Sequence, residues 1–138
     1  MEGLKTTQSN FGPQDTMDRL EREIQAHSMR VFRRINHAAM AAEVGLELLP
    51  TELILFGNPR VGTSLMQASQ TIGIDLPLKA LIWQDATGNT WLSYNDPAWL
   101  AKRHEVSSAE HTIGAMTRAL TEIAAKATGN RTSDQKQT

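Results

Sequence analysis

A chain of 138 residues, 40% hydrophobic and 21% charged, is sized for one domain with one core and is too apolar to stay unfolded. Its 14 Lys and Arg against 15 Asp and Glu leave a net charge of −1, which offers no broad positive field to a nucleic-acid backbone or an anionic membrane. No cysteine is present, which excludes disulfides, thiol nucleophiles and thiolate-bound zinc. Met1 to Lys5 lack the basic start and apolar stretch of a signal peptide, and no apolar run approaches the roughly 18 residues a membrane span needs, so the cytoplasm is the expected location.

Residues 4–10 are short, polar and Thr-rich, as in an edge strand. Gly12-Pro13 then opens a helix predicted over 13–28, with Met17, Leu20 and Ile24 on one face. Asp18/Arg22 and Arg19/Glu23 stand four apart and are expected to pair. Residues 29–36 mix Val31, Phe32 and Ile35 with Arg30, Arg33 and Arg34, the pattern of a strand near an edge; on a strand, Arg33 and Arg34 point to opposite faces. His37 is read as closing that strand. Ala38 to Val44 favour a short helix ended by Gly45.

Leu53-Ile54-Leu55-Phe56 is an unbroken apolar run between Pro50 and Gly57-Asn58-Pro59, which predicts a strand buried on both faces at the sheet's centre. Ser64 and Gln67 have capping-box spacing, so a short helix is expected past Gly62. Ala80 to Trp83 and Trp91 to Tyr94 flank the turn-forming Asp85-Ala86-Thr87-Gly88-Asn89, the clearest hairpin in the chain. Asp96-Pro97 caps a helix ending near His104. Ser107 and Glu110 form a second capping box before a helix whose Ile113, Met116, Leu120, Ile123 and Ala127 make one apolar face, expected to pack on the sheet. The predicted organisation is a single domain over 1–128 and a flexible tail over 129–138.

Five motifs in order, Ile35-Asn36-His37-Ala38-Ala39, Pro50-Thr51-Glu52-Leu53, Phe56-Gly57-Asn58-Pro59, Leu76-Pro77-Leu78-Lys79 and Tyr94-Asn95-Asp96-Pro97, resemble the domain-of-unknown-function family numbered 302, over about residues 4–126. The resemblance implies a two-layer α+β domain with helices on a curved, largely antiparallel sheet of about five strands, paired as a homodimer. It implies no established activity. The family commonly has Ile-Asp-His where this chain has Ile35-Asn36-His37, so a carboxylate beside the histidine is lost.

Gly57 to Ser64 matches a phosphate-binding loop except that Thr63 stands where the lysine belongs, so Gly57 and Gly62 read as turn glycines and no nucleotide cofactor is expected. His27, His37, His104 and His111 lack the spacing of a zinc site, and Met17, Met66 and Met116 read as core fillers, so no metal or other cofactor is expected. Topology supplies a better candidate. If the strand at 78–85 runs antiparallel to 52–57 and the hairpin reverses it again, Asn58, Lys79 and Asn95 share one end of the sheet. His37 joins them if its strand runs parallel to 52–57.

In that arrangement Lys79 holds an anionic group, Asn58 and Asn95 orient it, and His37 exchanges a proton or binds. The bland reading of the same residues is a turn histidine, a loop-capping asparagine and a snorkelling lysine. The expected function is a homodimeric module binding a small anionic or carbonyl-bearing molecule. The alternatives are an enzyme with His37 as acid or base and Lys79 as electrostatic stabiliser, and a structural or protein-interaction subunit.

Overall fold

A computed structural model describes residues 1–131. The flexible tail expected over 129–138 therefore lies mostly outside the described residues. Of its first residues, Gly129 ends the last helix at φ +77°, and the Asn130 amide donates to the Gln8 carbonyl at 2.8 Å.

The chain forms a five-stranded antiparallel sheet with helices packed on it, an open α+β arrangement. In chain order the elements are β1 (Leu4–Ser9), α1 (Pro13–Ala26), β2 (Arg30–Asn36), α2 (His37–Glu43), β3 (Thr51–Gly57), α3 (Pro59–Ala68), a 3-10 turn (Gln70–Asp75), β4 (Leu78–Gln84), β5 (Thr90–Asn95), α4 (Pro97–Arg103) and α5 (Glu110–Thr128). The strands lie in the order β1-β5-β4-β3-β2. The centre is therefore β4, and β3 lies one place from the edge.

Alternation along the strands decides which side is core. Ile54 and Phe56 of β3, Leu78, Ala80 and Ile82 of β4 and Leu92 of β5 are buried against Met17, Leu20 and Ile24 of α1 and Leu120, Ile123 and Ala127 of α5. Leu53 and Leu55 fall on the opposite face and are only partly buried, which corrects the expectation of a strand buried on both sides. α5 packs along α1 as well as on the sheet.

Local chemistry starts each helix, in two cases differently from expectation. α3 begins at Pro59, capped by Asn58, whose Oδ1 accepts from the Arg60 and Val61 amides at 2.9 and 3.3 Å. The Ser64/Gln67 pair thus lies inside the helix, and Gly62 is a helical residue, so the segment after β3 is no phosphate-type loop. α5 begins after Ala109 with no side-chain cap, so Ser107 does not serve as one. Asp96 caps α4 as expected, accepting from the Ala98 amide at 3.1 Å.

Among the described residues neither Asp18/Arg22 nor Arg19/Glu23 pairs as expected; other partners take their place. Arg19 reaches back to Asp15 at 3.1 Å, and Asp18 meets Arg34 of β2 at 3.5 Å. Arg34 grips Glu52 of β3 with two hydrogen bonds of 3.1 and 2.9 Å, tying the edge strand to its neighbour and to α1. Among the described residues every buried side-chain nitrogen or oxygen has a partner, as a well-formed core requires.

Candidate functional site

Both β3 and β5 run antiparallel to β4, with Leu55 opposite Lys79 and Ala80 opposite Tyr94. Asn58, Lys79 and Asn95 therefore do share one end of the sheet. β2, however, runs antiparallel to β3, with Asn36 opposite Glu52, so the parallel condition for His37 is not met. His37 opens α2 at the far end; at ~3.3 Å per residue along a strand and ~4.8 Å between strands, its backbone lies on the order of 15 Å from that of Lys79. Asn36, where a carboxylate was noted as lost, accepts from the Ala39 amide at 2.9 Å and so caps α2.

The three residues at the near end divide further between two faces. Lys79 lies on the open face with Leu81 and Trp83, and its ammonium donates to the Pro77 carbonyl at 3.0 Å. Asn95 follows the alternation of Trp91 and Ser93 onto that same face. Asn58 instead lines a cavity on the helix side.

That cavity, of about 430 Å³, lies between α3 and α5 beyond the ends of β3 and β4. Its wall is largely apolar: Met29, Met66, Met116, Leu65, Leu76 and Leu120, closed by Gly57, Gly62 and Gly73, with His27, Asn58 and Thr63 as the polar members. His27 is already engaged, Nδ1 with the Glu23 carbonyl at 2.9 Å and Nε2 with Glu122 at 3.4 Å. Asn58 spends its carbonyl on the α3 cap, which leaves its amide NH2 without a partner among the described residues. Of the three methionines expected as core fillers, Met17 is in the core, Met116 packs against that core while also lining the cavity, and Met66 is cavity wall.

One side-chain chain escaped the sequence reading. His104 hydrogen-bonds Asp75 through Nε2 at 2.5 Å and Thr71 through Nδ1 at 2.9 Å, while Arg103 donates twice to Asp75 at 3.1 and 2.9 Å. The order hydroxyl, imidazole, carboxylate is that of an activated nucleophile. Thr71 nevertheless stands exposed and does not line the cavity. With Ser69 donating to the His104 carbonyl at 2.7 Å, the cluster fastens the 3-10 turn to the end of α4. Only the Asp75 and His104 residue types hinted at it, and a separation of 29 residues hid the pairing.

Comparison with known proteins supports the fold independently. A conserved DUF302 protein from Bacillus stearothermophilus has a crystal structure similar at a TM-score of 0.83, covering 92% of this chain and 99% of that one at 18% identity. Two curated relatives, fluoride-specific ion channel FluC 1 of Brucella suis and FluC 2 of Brucella melitensis, are each 50% identical over 115 residues, which is 83% of this chain but 45% and 43% of theirs. The chain thus spans less than half the length of those relatives. The model of the family described as domain of unknown function DUF302 matches residues 5–123, and the chain belongs to that family.

Proposed function

We propose that this domain binds a small, mainly apolar molecule in the cavity between α3 and α5, with the free amide of Asn58 donating to a carbonyl or anionic oxygen at one end of it. The observation that carries this reading is the cavity itself: its volume of about 430 Å³ falls in the usual range for small-molecule sites, which combine apolar walls with a few polar groups. Three thioether side chains make the wall adaptable, because methionine fills irregular space through several soft torsions. An enzyme built on His37 and Lys79 gains no support, since their separation is far beyond hydrogen-bond reach of one substrate atom.

The test uses anilinonaphthalene sulfonate as an apolar anionic probe, with Ala119, which lines the cavity from α5, changed by Ala119→Trp to fill it. Saturable binding by the native protein, lost in the variant while its circular dichroism is unchanged, supports the reading. Equal binding by both, or none by either, overturns it.

A second reading concerns assembly. α1 and α5 cover one face of the sheet, whereas the other presents Ile35, Leu53, Leu55 and Leu81 beside Trp83 and Trp91, which stack at 5.9 Å. Such a face favours a homodimer, because a small domain gains by burying apolar sheet surface against a copy of itself. Light scattering on a gel-filtration peak decides it, a mass of one chain at all concentrations being the negative result.

The channel name of the curated relatives is not carried to this chain. Those proteins are matched over less than half their length, and among the described residues no helix is long and apolar enough to cross a membrane.

A further inference from the structure

The connection between β2 and β3 turns an apolar surface to solvent. Residues 42–50 are all exposed, and Met40, Val44, Leu46, Leu48 and Leu49 are exposed to 48, 72, 66, 49 and 48%. Scattered surface leucines need no explanation, but five large apolar side chains within ten residues form a patch of the kind that marks an interaction site. The same stretch carries Glu43 and Glu47, neither of which makes an ion pair among the described residues.

The open sheet face has the complementary character. Its residues fall in cross-strand rows: Ile35, Leu53, Leu81, Ser93 and Thr6 form the middle row. Arg33, Leu55 and Lys79 form the row nearer Asn58, and Thr51, Trp83 and Trp91 the row nearer the β2–β3 connection. Arg33 and Lys79 make no ion pair among the described residues. Unpaired acids beside leucines on the connection thus correspond to unpaired cations beside a leucine on the sheet.

Symmetry makes the correspondence reciprocal. A twofold axis lying along the middle row reverses strand direction while keeping each strand over its counterpart. The β2–β3 connection of one copy then comes over the β2–β4 side of the opposite end of the other, where Arg33, Leu55 and Lys79 stand, and the same contact is made twice.

We propose that the occupant of the open face is a second copy of this chain, whose 43–49 segment lays Leu46 and Leu48 beside Leu55 and sets Glu43 and Glu47 against Arg33 and Lys79. The proposal rests on the homodimer reading above and specifies its interface. Buried complementary charges at such a contact fix its register and resist substitution of either partner.

The experiment measures the dimer dissociation constant by sedimentation equilibrium for the native chain, for Leu46→Asp with Leu48→Asp, for Glu43→Lys with Glu47→Lys, and for the latter combined with Arg33→Glu and Lys79→Glu. All six positions are on the surface or open face, and circular dichroism checks each fold. The expected result is a native dimer, weakened about tenfold or more by each double variant and recovered at least in part by the combined charge exchange. A native chain that is monomeric throughout overturns the homodimer reading itself. A native dimer that both double variants leave intact, or that the exchange fails to recover, overturns the interface while leaving the dimer standing.

Discussion

The indole Nε1 of Trp91 donates to Oδ2 of Asp85 at 2.8 Å, joining the start of β5 to the turn that precedes it. With the Thr87 hydroxyl and the Thr87 and Asn89 amides on Oδ1 at 2.7, 3.0 and 3.0 Å, these bonds favour the ionised carboxylate. They hold it down to about 2, the Trp91 contact contributing most, against roughly 4 for an unfolded aspartate. A depressed carboxyl contributes stability above its unfolded value and loses it as pH falls through the folded one. The stability is lost as pH falls from about 4 towards 2, while the Trp91 indole proton resonance of the folded protein should hold steady down to about pH 3 and shift with a midpoint near 2. A midpoint at 4, or the same profile in Asp85→Asn, contradicts this.

Glu52→Gln should lower stability by about 1 to 2 kcal/mol in urea unfolding, because it weakens the two-point grip on Arg34 in a setting only partly screened by solvent. Arg34 and Glu52 side chains are 25 and 20% exposed. A change below about 0.3 kcal/mol shows instead that Asp18 and Glu21 of α1, 3.5 and 4.0 Å from Arg34, hold the guanidinium unaided.

Neighbouring residues of β3 should respond differently. Phe56 is 1% exposed, and Phe56→Ala is expected to cost about 3 to 5 kcal/mol through the void it leaves. Leu53→Ala, on the open face, should cost the isolated domain about 1 kcal/mol and show its larger effect in self-association. Equal losses at both positions would mean that the two faces are equally enclosed.

Two left-handed glycines provide a matched pair. Gly45 has φ +76° and nothing within 4 Å of an added Cβ, whereas at Gly129, φ +77°, that carbon meets the Phe11 ring at 2.7 Å. Gly45→Ala is expected to cost about 1 kcal/mol for conformation alone, and Gly129→Ala a further 1 kcal/mol or more from the clash. Thermal unfolding of the two variants, compared at equal concentration, measures the difference.

What the sequence made legible is local. α1, the hairpin and the Asp96 cap were readable because each depends on residues within a few positions of one another. The start of α3 is written in Asn58-Pro59, a cap followed by a first-turn proline, but Gly62 reads equally as a turn glycine and points past it. The site was legible only by half. Asn58, Lys79 and Asn95 reach one end because β3, β4 and β5 follow one another antiparallel, yet nothing local set the direction of β2, and His37 went to the other end. The cavity draws its wall from positions 27 to 120, a convergence that no short-range pattern records.

The amide of Asn10, just past β1, donates to the carbonyl of Thr128 at the end of α5 at 2.9 Å, and Asn130 clasps Gln8 beside it. The clasp therefore holds the far end of β1, about 17 Å along the strand from Leu4, so the chain enters this body at one end of its edge strand and leaves it at the other. Polypeptide running on from both points would leave from opposite ends of that strand and set the unit in line with its neighbours, its cavity and open face still uncovered by the join.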